Sequence, residues 1–111
     1  FMIKLNEMID QNLSQPDLDV KFLTVQMAMS RTSLYNKIKE LTGMGANDYI
    51  NRRRIDKAII LLIQSDMSIT EISEQVGFTY QRYFSTLFKE MKGMTPSQFR
   101  AQHGSTQQQS E

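Results

Sequence analysis

The stretch YFSTLFKEMKGMTPSQF, residues 83–99, has a counterpart fifty residues earlier in SLYNKIKELTGMGANDY, residues 33–49. Superposed without a gap, the two share Lys39/Lys89, Glu40/Glu90, Gly43/Gly93 and Met44/Met94. They exchange like for like at Leu34/Phe84, Ile38/Phe88, Leu41/Met91 and Tyr49/Phe99. The repeat reaches further upstream. LTVQMAMS (23–30) aligns with ISEQVGFT (72–79), placing Leu23 on Ile72, Met27 on Val76, Ala28 on Gly77 and Ser30 on Thr79. One residue is inserted after Thr79. Each copy thus reads as helix, tight turn with a small residue, second helix, glycine, and the start of another helix. That is the helix-turn-helix pattern.

Working outward from the repeat, the whole chain reads as all-α. Ile3, Leu5, Met8, Ile9 and Leu13 give an amphipathic segment over 2–13. Pro16 interrupts it, and Asp19 is an N-cap for a second helix over about 20–28 with Phe22, Leu23 and Met27 inward. Ser30 caps a third helix, 31–41, with Leu34, Ile38 and Leu41 inward, ended by Gly43 and Gly45. A long helix over about 46–65 follows. Its C-terminal half is apolar nearly all round, so it is expected to be buried on several sides as a spine between two units. Ser68 and Glu71 form a capping box for a fifth helix, 69–76. A sixth runs over about 80–91 with Phe84, Leu87, Phe88 and Met91 inward. Thr95 caps a seventh that starts at Pro96 and continues to about 102. The expected domain is residues 1–103: a first helix-turn-helix over about 20–41, the spine, and a second over about 69–91. The Gln-rich tail 104–111 is expected to be disordered.

With 111 residues and 40% of them apolar, the chain can bury one compact core or two small ones. It has no cysteine, which removes disulfides, thiolate nucleophiles and Cys-type metal sites, and which fits a cytoplasmic protein. The longest apolar run, AIILLI (58–63), is too short to span a bilayer. The chain opens Phe-Met, so it is expected to be a piece of a longer protein. The net charge is only +1, but it is banded. Residues 31–57 carry seven basic and three acidic side chains, and residues 79–103 carry four and one. Each basic band contains one copy of the repeat, so a nearly neutral molecule can present a basic face.

A helix-turn-helix offers its second helix to the DNA major groove, one face docked on the first helix and the other reading bases. Opposite Leu34 and Ile38 lie Arg31, Thr32, Tyr35, Asn36 and Lys39. Opposite Phe84 and Phe88 lie Gln81, Arg82, Ser85, Thr86 and Lys89. Arginine suits guanine, Asn and Gln suit adenine, and threonine can touch the thymine methyl. A helix of about twenty residues spans roughly 30 Å. That is close to the separation of about 34 Å between major-groove segments on one side of DNA. The spine could therefore hold both reading helices on successive segments.

Other residues divide between structural and DNA-facing readings. Arg52, Arg53 and Arg54 fan across about 200° of a helix, so at most one or two of them can face phosphates. Tyr35 is expected at DNA, and Tyr83 is expected to pack. Most of the eight methionines fall at apolar repeat positions and fill the core. His103, Asp17 and Asp19 carry no catalytic or metal pattern. No phosphate-cradling glycine loop, HExxH motif or nucleophile with a base is present, so no enzyme, cofactor or small-molecule ligand is expected.

The motifs MSRTSLYNKIKELTG (29–43), NRRRIDKAIILL (51–62) and ITEISEQVGFTYQRYFSTLFKEMKGMTPSQFR (69–100) resemble the DNA-binding domain of the AraC/XylS family of bacterial transcription regulators. The resemblance covers residues 3–102 and implies seven helices in two helix-turn-helix units, with base reading by Arg31, Thr32, Tyr35 and Asn36, and by Gln81, Arg82, Ser85 and Thr86. It implies double-stranded promoter or operator DNA as partner and a sensor or dimerisation domain elsewhere in a longer chain. It admits RNA polymerase as a further contact. The first unit also resembles output modules of hybrid two-component sensors. Four positions depart from the family pattern. Asn36 and Thr86 stand where arginine is frequent, which should alter sequence preference and weaken phosphate attraction. Gly45-Ala46 stands where Ser-Pro is frequent. The alternative is a helical protein-interaction module that keeps the fold without reading DNA. Such a module would show an apolar stripe on the outward faces, and the sequence has none there.

Overall fold

The computed structural model describes residues 1–109, and the side chains of residues 1–103. Among the described residues there are seven helices and no strands: α1 (Met2–Gln11), α2 (Val20–Met27), α3 (Arg31–Thr42), α4 (Ala46–Gln64), α5 (Ile69–Gln75), α6 (Gln81–Lys92) and α7 (Pro96–Gln109). None is long and apolar enough to cross a membrane. The α7 backbone runs on to Gln109, past the end at about 102 that the periodicity gives. The tail expectation for Ser110 and Glu111 lies outside the described residues.

Local chemistry sets the helix starts. Asp19 Oδ1 accepts from Phe22 N at 2.8 Å, and Ser30 Oγ accepts from Ser33 N at 3.1 Å. In α5, Ser68 Oγ accepts from Glu71 N at 3.1 Å and Glu71 Oε1 accepts from Ser68 N at 3.0 Å, the reciprocal capping box. Thr95 and Gln98 make the same pair of bonds at the start of α7. Each such cap satisfies N–H groups that the helix cannot, worth typically about 1 kcal/mol.

The two copies of the repeat fold alike down to single bonds. In the turns, Met29 N donates to Thr24 O (3.1 Å) and Phe78 N donates to Ser73 O (2.9 Å). Both turns pass through the left-handed region, at Ala28 (φ 53°) and Gly77 (φ 92°). The second helices are both 12 residues long. Each ends in a left-handed glycine, with Gly43 N on Lys39 O and Gly93 N on Lys89 O, both at 2.8 Å.

Two cores result, strung along α4. The first collects Leu5 and Ile9, Leu23 and Met27, Leu34 and Ile38, and Tyr49 and Ile50 of α4. The second collects Ile55, Ala58 and Leu62 of α4 with Ile72, Val76, Phe84 and Phe88. An aromatic chain runs through it, Phe78–Phe84–Phe88–Phe99, with centroids 5.3, 5.9 and 5.5 Å apart. Such tilted and edge contacts add about 0.5–1.5 kcal/mol each beyond simple burial. Arg100 closes the C-terminal end of α4 by donating to Leu62 O and Ser65 O at 3.1 and 3.2 Å. The molecule is elongated, 51 × 24 × 23 Å.

Three inward assignments change. Leu41 is 50% exposed, although its repeat partner Met91 packs on the second core. Periodicity puts Leu41 on the inner face, but at the last turn of α3 no neighbour covers it fully. Ile3 is 77% exposed. The C-terminal half of α4 is not buried all round: Ile60 is 44% exposed and borders an open groove of about 630 Å³ between α1 and α4.

Candidate nucleic-acid interface

None of the ten residues expected at DNA is buried. Arg31, Thr32, Tyr35, Asn36 and Lys39 are exposed on α3; Gln81, Arg82, Thr86 and Lys89 are exposed on α6, where Ser85 is half-buried. For Thr32 and Asn36, and for Arg82 and Thr86, this follows because Leu34 and Ile38 in α3, and Phe84 and Phe88 in α6, are fully buried on the opposite faces; Arg31 and Gln81 are exposed as the first residues of their helices. Fifty residues apart, the pairs Thr32/Arg82, Tyr35/Ser85, Asn36/Thr86 and Lys39/Lys89 occupy equivalent places on equivalent helices.

The charges on these faces are unneutralised. Among the described residues the one ion pair is Arg53–Asp10 at 2.6 Å, which joins α4 to α1. Asp10 raises the Arg53 pKa above its ordinary value through the hydrogen bond they share. Arg31, Lys39, Arg82 and Lys89 have no acidic partner among those residues.

Some of the expected readers are already held. Gln81 Oε1 accepts from the Thr70 hydroxyl of α5, which fixes its carboxamide across the turn. The Tyr35 hydroxyl lies 3.4 Å from where a Cβ on Gly45 would stand, so the ring leans on the α3–α4 turn while remaining 48% exposed. Tyr83 packs against Phe78 in an edge contact, ring centroids 5.7 Å apart, and is 52% exposed. Its hydroxyl accepts from Asn51 Nδ2 at 3.4 Å. The expected packing is present, and the hydroxyl adds a polar link to α4.

The helix starts differ between the copies. Ser30 caps α3, but the inserted Tyr80 occupies the N-cap of α6 and offers no side-chain acceptor. The first N–H groups of α6 consequently stay open toward solvent or an anion.

The arginine triplet divides three ways. Arg52 is exposed, with Nη1 3.7 Å from Met44 Sδ. Arg53 is acid-paired. Arg54 is only 5% exposed and donates to the carbonyls of Gly77, Gln15 and Leu18. Burial pushes its pKa below the ordinary value. Sequence reasoning missed this residue, although a signal existed: Ile50, Arg54, Ala58 and Leu62 form a single i, i+4 stripe, and the other three are apolar. His103 stacks on Phe99 at 4.2 Å, a packing role. No cluster of three or more metal-ligating side chains occurs among the described residues.

Comparison with known proteins agrees with this geometry. A helix-turn-helix domain family matches residues 23–102. A histidine kinase, P4, of Formosa agariphila is 35% identical over 96 residues, covering 86% of this chain and 7% of the kinase. The transcriptional regulatory protein YesN of Bacillus subtilis is 34% identical over 104 residues, covering 91% of this chain and 28% of YesN. The chain thus spans under a third of these relatives. Among solved structures, the DNA-binding domain of the global transcriptional factor AdpA, in complex with a target DNA, superposes with a TM-score of 0.82 at 26% identity, over 89% of this chain and 88% of that one. Two helix-turn-helix units on a shared helix, with this degree of likeness, mark the chain as a DNA-binding domain of the AraC/XylS family of transcription regulators.

Proposed function

We propose that this domain reads double-stranded DNA as a monomer through two helices, α3 and α6, each in one of two successive major-groove segments. The observation that carries the reading is the pair of outward faces, equivalent by repeat and lined by cations without acidic partners. In this reading Arg31 and Arg82 address guanine edges, Asn36 and Gln81 adenine, and Thr32 and Thr86 thymine methyl groups. Tyr35 and Ser85 complete the two faces. Lys39 and Lys89, three residues beyond Asn36 and Thr86, bind phosphates. The 19-residue α4 is about 28 Å long at 1.5 Å per residue, which suits two neighbouring groove segments. The uncapped start of α6 adds a second phosphate anchor.

The domain serves as the output module of a longer cytoplasmic regulator. A sensor or dimerisation domain sits elsewhere in that chain, and RNA polymerase is a further contact at the promoter. The domain has no catalytic role and no cofactor. Its relation to a histidine kinase and to YesN supports control by a two-component signal.

The test is a gel shift, on DNA selected from a random pool, at several salt concentrations. The logarithm of affinity should fall linearly with the logarithm of salt. Arg31→Ala and Arg82→Ala should each cost about 1–3 kcal/mol and relax preference at one base position. Lys39→Ala and Lys89→Ala should weaken all sequences alike and reduce the salt slope by about 1. Binding that is indifferent to salt would leave the interaction-module alternative standing. Unchanged target binding in both folded arginine variants would refute the base assignments.

A further inference from the structure

Arg54 lies where the two cores meet. On its stripe of α4, Ile50 belongs to the first core, and Ala58 and Leu62 belong to the second. Its guanidinium Nη1 donates to Gly77 O, in the turn of the second helix-turn-helix. Its Nη2 donates to Gln15 O at 3.0 Å and Leu18 O at 3.4 Å, in the loop that leads into the first. The head group also lies 5.7 Å from the Phe78 ring centroid. The two units touch directly at this point: a Cβ on Gly77 would stand 2.2 Å from Leu13 O and 2.6 Å from Arg54 Nη1.

A cation buried to this degree without a carboxylate is an expensive choice, and Arg54 Nε has no partner at all. An apolar residue would continue the stripe at lower desolvation cost. What arginine supplies instead is a rigid planar fork able to hold carbonyls from two bodies at once. A second polar link between the units, Asn51 to Tyr83, is exposed and 3.4 Å long. Helix α4 sets the separation of the units along its axis. Direct contacts between the units add to the packing on α4 in holding their tilt and roll about that axis.

We infer that Arg54 is a positioning residue that locks the relative pose of α3 and α6, and so fixes the spacing of the two DNA segments the protein accepts. The inference rests on the two-groove reading above. Its test has a DNA-free arm so that the two ideas can fail separately.

The chain has no native cysteine. Glu40→Cys and Glu90→Cys, at equivalent exposed places on α3 and α6, can therefore carry a clean pair of spin labels. Pulsed electron-spin resonance should give one narrow distance distribution for the otherwise native chain. It should broaden in Arg54→Met, and less so in Arg54→Lys, which keeps the charge but not the fork. Circular dichroism identifies variants that stay helical; if the methionine variant does not, the lysine variant decides. The second arm measures binding, without labels, to duplexes whose two recognition segments are moved apart or together by one or two base pairs. The native chain should discriminate against a one-base-pair shift by about tenfold or more, and the variants by about twofold, because a loose tether tolerates offsets that a stiff one forbids. Distance distributions that superpose on the native one, or an unchanged spacing profile in a helical variant, would overturn the inference. A broadened distribution combined with a native chain indifferent to spacing would support the lock and sink the two-groove reading.

Discussion

Ala28 carries the turn of the first unit at φ 53°, alone among the described non-glycine residues in having positive φ. Its side chain is exposed, so nothing is gained there to offset the left-handed backbone. Ala28→Gly should therefore raise stability by roughly 0.5–1 kcal/mol, the relief of αL strain less the added freedom of the unfolded chain. Urea unfolding measures it, and a decrease would contradict the strain. The equivalent Gly77 is the reverse case. A Cβ there meets backbone at 2.2 Å, which cannot yield as a flexible side-chain tip would. Gly77→Ala should cost more than about 1 kcal/mol. The alignment of Ala28 on Gly77 located both turns from sequence alone. It did not show that one copy tolerates a methyl group and the other does not, because the obstructing Leu13 carbonyl comes from outside the repeat. Arg54 was obscured for a related reason: three adjacent arginines look alike until the partners of each are known.

At the scale of elements, the sequence was most legible where chemistry is local. Asp19, Ser30, the Ser68/Glu71 box and Thr95 all cap within four residues of themselves. Each was read correctly, and helix ends shifted by no more than about two residues from α1 to α6. Glu71 gives a titration test. Its carboxylate accepts from the backbone N–H of Ser68, which holds its pKa below the ordinary value. A group depressed in the folded state stabilises above its unfolded pKa and stops doing so as pH falls through the folded one. The stability advantage of the native chain over Glu71→Ala should therefore be constant near neutrality and shrink in the acid range below ordinary glutamate values. Paired denaturation curves across that range would show it, and a pH-independent difference would contradict it. Helix α4 offers a gain. Gly45, its N-cap, has ordinary backbone angles (φ −65°, ψ 160°) and no capping side chain. Gly45→Ser should stabilise by about 0.5–1 kcal/mol through a cap and a stiffer unfolded chain, read as a rise in the midpoint of thermal unfolding. Leu41 and Ile60 mark the limit of this scale. Periodicity gives the face of a residue, but only the neighbouring element decides whether that face is covered.

At the scale of the molecule, two small cores share one helix and meet at Arg54, so neither unit is expected to melt alone. Phe84→Ala should cost about 3–5 kcal/mol, and it should lower amide-exchange protection in α3 as well as in α6. Protection lost from α6 only would show that the units are independent. The outward faces were legible beforehand because they follow from the repeat: where Leu34 or Phe84 turns inward, Thr32 or Arg82, two residues earlier and about 200° round the helix, must turn outward. The amino-acid sequence by itself determined the seven helices, their caps, the duplicated helix-turn-helix and the polarity of its two outward faces. All of these arise from interactions within a few residues or from a 3.6-residue period. Only the tertiary structure decided which arginine is buried, which apolar residues stay uncovered, and how the second turn seats on the first unit. Those outcomes depend on contacts between residues 23 to 64 positions apart, such as Arg54 with Gly77 and Gly77 with Leu13, and no local period encodes such pairings.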